Sequence, residues 1–159
     1  MRLFIRQRIF SWTDSYDVYN EEGEACYEVR AKFFALGHQI QVYDKHTGRE
    51  MGAIREKLFT ILPQFEIVIG GKVMGTVRKE LTFFKENYRV DYRGWNVDGD
   101  VFGWDYRVME GRREVMSIQK EIFRLSDTYA LEFHKAEDEL PGLLLVIAID
   151  AANCSRNKN

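Results

Sequence analysis

Acidic side chains are the densest chemistry-bearing set in this chain of 159 residues. Asp91, Asp98, Asp100 and Asp105 fall within one short stretch, and carboxylates gathered at neighbouring hairpin ends can ligate calcium. The ligand spacing of an EF-hand is missing, however, and "VDGD" at 97–100 has the composition of an ordinary tight turn. The turn is the expected outcome at Asp98 and Asp100, and no metal site is assigned. His38, His46 and His134 stand apart, without metal-ligand spacing, and read as solvated side chains. Ser11, Ser15, Ser117, Ser126 and Ser155 lack a G-x-S-x-G setting. "GGKVMG" from Gly70 lacks the P-loop pattern and leads into strand-like residues instead of a helix. No catalytic residue and no cofactor is assigned, and a non-enzymatic protein is expected.

Basic residues are arranged more suggestively. Three segments, "GREMGAIREK" (48–57), "GKVMGTVRKE" (71–80) and "GRREVMSIQKE" (111–121), each pass from a turn glycine through β-branched residues to a charged end. Arg55 and Lys57 close the first, Arg78 and Lys79 the second, and Lys120 the third. Where such copies pack side by side, their ends converge into a cationic rim. Arginine then grips a phosphate in a bidentate way and lysine acts as a point charge. Arg55, Lys57, Arg78, Lys79 and Lys120 are therefore the candidate site for an anionic head group. Glu56, Glu80 and Glu121 supply the competing outcome, a neutralised and solvated face. A net charge of −2 gives no global attraction to nucleic acid, so none is expected as a partner.

Trp95 and Trp104 flank the hairpin "WNVDGDVFGWDY" (95–106). Packing in the wall is the plainer reading of each tryptophan. A protein-binding surface built on this hairpin is the alternative to a head-group site.

These residues need elements to hold them. A hydrophobic content of 45% with 30% charged residues suits a single globular domain over 1–159. Alternation at period two recurs along the chain. Leu3, Ile5, Gln7 and Ile9 share one phase, as do Tyr27, Val29 and Ala31. Phe65, Ile67 and Ile69, then Tyr88, Val90 and Tyr92, and finally Tyr129, Leu131 and Phe133 repeat the pattern. Turn signals at Gly23, Gly48, Gly70–Gly71, Gly99 and Gly111 separate the runs. The pattern is that of an antiparallel meander burying one face.

The end of the chain breaks the pattern. Leu143 to Ile149 is an unbroken apolar run. It falls well short of the roughly 20 apolar residues of a membrane-spanning helix, so no transmembrane segment is expected. Pro141 suits a first helical turn, Glu137, Asp138 and Glu139 suit the partially positive N-terminus, and Ala151 and Ala152 favour continuation. A helix over about 141–153 would be apolar on nearly all sides, so it must be surrounded. A closed, many-stranded barrel provides that enclosure and removes exposed strand edges.

The hairpin order, "GREMGAIREK", "GDVFGWDYRV", "DTYALEF" and the closing "LLLVIAID" resemble the LURP-one-related family. That family is similar in fold to the tubby C-terminal domain and to phospholipid scramblases. The resemblance covers nearly the whole chain and implies a mainly β fold: a closed antiparallel barrel of about twelve strands enclosing a C-terminal hydrophobic helix. The cysteine-rich and Pro-rich segments of scramblases are missing, which argues against lipid scrambling. Tubby-like domains bind phosphoinositide head groups through basic residues on the barrel exterior. The resemblance thus implies an anionic lipid, or a phosphorylated small ligand, as partner at a membrane surface. Arg2, Arg6 and Arg8 interrupt any signal-peptide core, and Cys26 and Cys154 form no CxxC pair. A cytoplasmic protein, peripheral at the membrane, is expected.

Overall fold

Period-two alternation becomes strand throughout the computed structural model, which describes residues 1–6, 15–34, 37–81, 86–121 and 127–154. Among the described residues the strands are β1 (Arg2–Arg6), β2 (Ser15–Tyr19), β3 (Ala25–Phe34), β4 (Gly37–Asp44), β5 (Glu50–Glu56) and β6 (Gln64–Ile69). They continue with β7 (Lys72–Leu81), β8 (Glu86–Asp91), β9 (Trp95–Asp100), β10 (Asp105–Glu110), β11 (Arg113–Glu121) and β12 (Thr128–Phe133). Each pairs antiparallel with its neighbour in sequence, and β1 closes on β12 to complete the barrel. No edge between β1 and β12 remains for another chain to add to.

The inward phases are those the alternation predicts: Val29, Ile40, Ile54, Phe65, Ile67, Val77, Val108, Ile118 and Leu131 are buried. Two departures have local causes. A register shift between Ile67 and Val68 resets the alternation, so Val68 is buried and Ile69 only partly so. In β1, Phe4 is buried along with Leu3 and Ile5, so this strand is covered on both faces. Gln7 and Ile9 lie outside the described residues.

After β12 a single 3-10 turn, Ala136–Asp138, turns the chain into α1 (Glu139–Cys154). The helix runs through the barrel, and Leu143 to Ala152 are buried except for Asp150, which is half-buried. It begins at Glu139, two residues before the start expected from Pro141, because Glu139 itself occupies the acidic first turn. Odd-numbered strands run toward the end where α1 finishes, the exit end; even-numbered strands run back toward the entry end.

Polar contacts fix the helix at both ends. At entry, Tyr27 Oη donates to Glu139 Oε1 at 2.6 Å, and Arg113 Nη1 donates to the fully buried Asp138 Oδ2 at 2.8 Å. At exit, Tyr88 Oη donates to Asn153 Oδ1. Gly52 on β5 lets the helix approach, since a Cβ there would lie 2.8 Å from Leu144 Cδ1. The apolar run is therefore a core shared by all the strands around it, and no described helix is long and apolar enough to cross a membrane.

Candidate functional site

All five predicted cations lie toward the exit end, because each repeat copy leaves a turn at the entry end and runs to the opposite rim. Only three of them share a surface. Arg55 and Arg78 are half-buried on the outer wall and Lys57 follows β5 at the rim. Lys79 departs from the grouping because it occupies the same phase of β7 as the buried Val77. Its side chain is 4% exposed, with the ammonium 5.8 Å from the centroid of the Phe102 ring. Lys120 departs for a different reason. It stands on β11, separated from β7 by β10, β9 and β8, and its Nζ lies 3.0 Å from Asp127 Oδ1.

Strand register supplies a fourth cation. Arg78 pairs with Gln64 on one side and with Arg89 on the other. The Lys57 N–H donates to the Gln64 carbonyl at 2.8 Å, which continues the row. Lys57, Gln64, Arg78 and Arg89 thus cross four neighbouring segments of the wall, spaced about 4.8 Å apart. Arg55 lies in the next row, opposite Glu66 and Gln39. Like charges directly opposite one another destabilise an antiparallel pair, so the Arg78–Arg89 pairing is an electrostatic cost that the fold retains.

The acidic neighbours only loosely neutralise this row. Arg55 Nη2 is 3.9 Å from Glu66 Oε2, Arg78 Nη2 is 3.4 Å from Glu80 Oε1, and Arg89 Nε is 3.5 Å from Asp91 Oδ1. Elsewhere Arg113, Arg30 and Lys45 have carboxylate partners at 2.7, 2.9 and 3.0 Å. Among the described residues the Nε atoms of Arg55 and Arg78 are buried against the wall without a hydrogen-bond partner, and Lys57 has no ion pair. Of the glutamates expected to neutralise the rim, Glu80 does reach Arg78 and Arg89, whereas Glu56 is engaged by His38, whose Nδ1 is 2.6 Å from Glu56 Oε2.

Two grooves flank the row. One of about 330 Å³ is lined by Gln39, Arg55, Glu56, Lys57, Leu58 and Glu66. A second, more open, of about 610 Å³, is lined by residues 60–62, Gln64 and the stretch 78–81. The β5–β6 connection, residues 57–63, supplies apolar side chains to both, joined in the second by Leu81 of β7, and its Leu58, Phe59 and Ile61 are exposed. Sequence reasoning missed this connection and Arg89. The outward phase of Arg89 was readable from its neighbours Tyr88 and Val90, but its place opposite Arg78 depends on register.

The remaining candidates are occupied internally. Asp98 Oδ2 accepts from Arg107 at 3.3 Å, and Asp100 Oδ1 accepts the Gly103 N–H at 2.9 Å, a turn contact. Among the described residues no three His, Cys, Asp or Glu side chains gather as metal ligands. Burial, reinforced by the Glu139 carboxylate, pushes the Cys26 thiol up to about 11, which opposes the thiolate a nucleophile needs. In the 95–106 hairpin, Trp95 is buried edge-on to Tyr92 at 4.8 Å, and Trp104 packs on Tyr129 at 4.1 Å. Phe102 is the large apolar side chain this hairpin leaves exposed.

These features define an antiparallel barrel whose interior is taken by its own helix. The LURP-one-related family profile matches residues 1–150, and the chain belongs to that family. It is 31% identical over 150 residues to the uncharacterised protein YxjI of Bacillus subtilis (strain 168), covering 94% of this chain and 92% of that one. The X-ray structure of a protein from Arabidopsis thaliana has the same fold, with a TM-score of 0.64 at 15% identity over 94% of this chain and 90% of the other.

Proposed function

We propose that this protein is a non-enzymatic binding barrel whose outer wall at β5–β8 takes an anionic, phosphorylated lipid head group at a membrane surface. The observation that carries this reading is the row Lys57–Gln64–Arg78–Arg89, with Arg55 beside it. A sheet that places two arginines directly opposite each other, holds them with long ion pairs and opens a groove beside them presents loosely paired guanidinium groups that a dianion can engage. The outer-wall position also agrees with the likeness to tubby-like domains noted above. The helix that fills the barrel leaves little room for an interior substrate, which supports binding over catalysis.

The test is co-sedimentation with phosphatidylcholine vesicles carrying phosphatidylserine or a phosphoinositide. Each basic residue near such a surface contributes about 1 kcal/mol, so Arg78→Glu should weaken partitioning roughly tenfold or more. Lys120→Glu should leave it unchanged, because Lys120 lies on another part of the wall. Added salt should reverse binding. Partitioning that ignores anionic lipid, or an Arg78→Glu protein that binds as the wild type does, would remove the reading.

A further inference from the structure

The β5–β6 connection has properties that a head-group site alone does not require. Phe59 and Ile61 are fully exposed, and Leu58 beside them and Leu81 at the end of β7 are also exposed. Monomeric soluble proteins rarely leave apolar side chains gathered in this way without a use for them. Phe59 moreover has φ 63°, a left-handed backbone conformation that bulky L residues seldom adopt. Such outliers persist where the surrounding structure enforces them.

The root of the connection supplies that enforcement. The Lys57 N–H donates to the Gln64 carbonyl at 2.8 Å, closing the base of the loop. The Pro63 carbonyl accepts the Lys79 N–H at 3.0 Å, tying the far side to β7. Leu58 packs over Gly37, where an added Cβ would come 3.0 Å from Leu58 Cδ2. The base is held and the apolar tip projects.

We infer that this connection is a membrane-inserting tip: Phe59 and Ile61 enter the interfacial layer of an anionic bilayer while Lys57 and Arg78 engage its head groups. The inference rests on the head-group reading above and adds the element that leaves water. Two observations select a bilayer as the occupant. Phe59 at the tip projects and lines neither groove, and Ile61 beside it is equally exposed, which suits a deformable apolar medium. The cations stand at the base of the projection and in the groove lined by Ile61 and Leu81, where an anionic surface would meet them once the tip is submerged.

Phe59→Trp places a reporter at an exposed position whose replacement disturbs no packing. Its emission, taken as the difference from wild type, should shift to the blue on phosphatidylcholine–phosphatidylserine vesicles and be quenched by brominated acyl chains. Soluble inositol hexakisphosphate should bind without producing that shift. The double change Phe59→Ser with Ile61→Ser should lower vesicle partitioning by about tenfold or more, as expected from losing apolar burial. It should leave inositol hexakisphosphate binding intact. Unchanged emission on vesicles that sediment the wild type overturns insertion and leaves the head-group reading standing. A wild-type protein that neither sediments with these vesicles nor binds inositol hexakisphosphate overturns both. If the doubly substituted protein partitions as the wild type does, a protein partner becomes the better occupant and the inference fails.

Discussion

Arg78 and Arg89 face each other across the β7–β8 pairing, with Glu80 Oε1 3.4 Å from the first and 4.0 Å from the second. Glu80 is shared between the two guanidinium groups and Asp91 Oδ1 lies 3.5 Å from Arg89 Nε, so both arginines are held only by long ion pairs. If the pair is kept for binding, it should contribute little to folding. Arg89→Gln removes both the repulsion and two long surface ion pairs, so the unfolding free energy should change by less than about 0.5 kcal/mol. Partitioning onto phosphatidylserine vesicles should fall about fivefold, the share of one interfacial cation. Urea unfolding and vesicle co-sedimentation of the same variant separate the two effects. A clear loss of stability with unaltered partitioning would make the pair structural.

The Tyr27–Glu139 hydrogen bond makes a prediction about pH. Burial first, and then the bond to the Glu139 carboxylate, pushes the Tyr27 phenol well above its ordinary range. A group whose folded value is raised binds its proton more tightly in the folded state. Its contribution is complete below the ordinary tyrosine value of about 10 and is lost as pH rises beyond it. Stability should therefore decline above about pH 10. Tyr27→Phe should cost roughly 1–2 kcal/mol at neutral pH, since a bond to a charged acceptor is lost at the foot of the helix. The same variant should flatten the alkaline decline without abolishing it, because burial also raises Tyr106. Denaturant midpoints measured from neutral to alkaline pH check both statements. A wild-type and a Tyr27→Phe curve that stay parallel through the alkaline range would refute the assignment.

Much of this architecture is legible in the residues, and the reasons show where legibility ends. Alternation identifies strands because side chains on a strand point to opposite faces in turn. An apolar run bounded by Pro141 and Asp150 has few places to go in water except the middle of a closed sheet. Arg78 and Lys79 show the limit within one strand. Both are basic and adjacent, so charge alone grouped them, yet the phase set by Val77 sends Lys79 inward under Phe102 and Arg78 outward. Attention to phase would have separated them. Lys120 and Arg89 show a different limit. Which strand ends become neighbours depends on sheet order and hairpin register, and neither follows from composition. The apolar "LFTIL" at 58–62 offers no period that distinguishes an exposed tip from a buried strand; the left-handed Phe59 and the tied base are seen only in three dimensions.

The fit of the helix within the wall is itself open to measurement at Gly52. Its hydrogen faces α1, and a methyl group in its place would meet Leu144 Cδ1 at 2.8 Å and the Val68 carbonyl oxygen at 3.0 Å. Leu144 is wholly buried and cannot swing into solvent, and the carbonyl belongs to the neighbouring strand. Gly52→Ala should accordingly cost about 1–3 kcal/mol through overpacking, despite the gain in backbone rigidity an alanine normally brings. Leu144→Ala alone should cost about 2–5 kcal/mol by leaving a cavity beside β5. Made together, the added methyl partly fills the space that the leucine vacates, so the pair should cost less than the sum of the singles. Urea unfolding of the four proteins completes the cycle. Strict additivity would mean that Leu144 is not what presses on Gly52, and that the helix sits against the wall differently from the arrangement described.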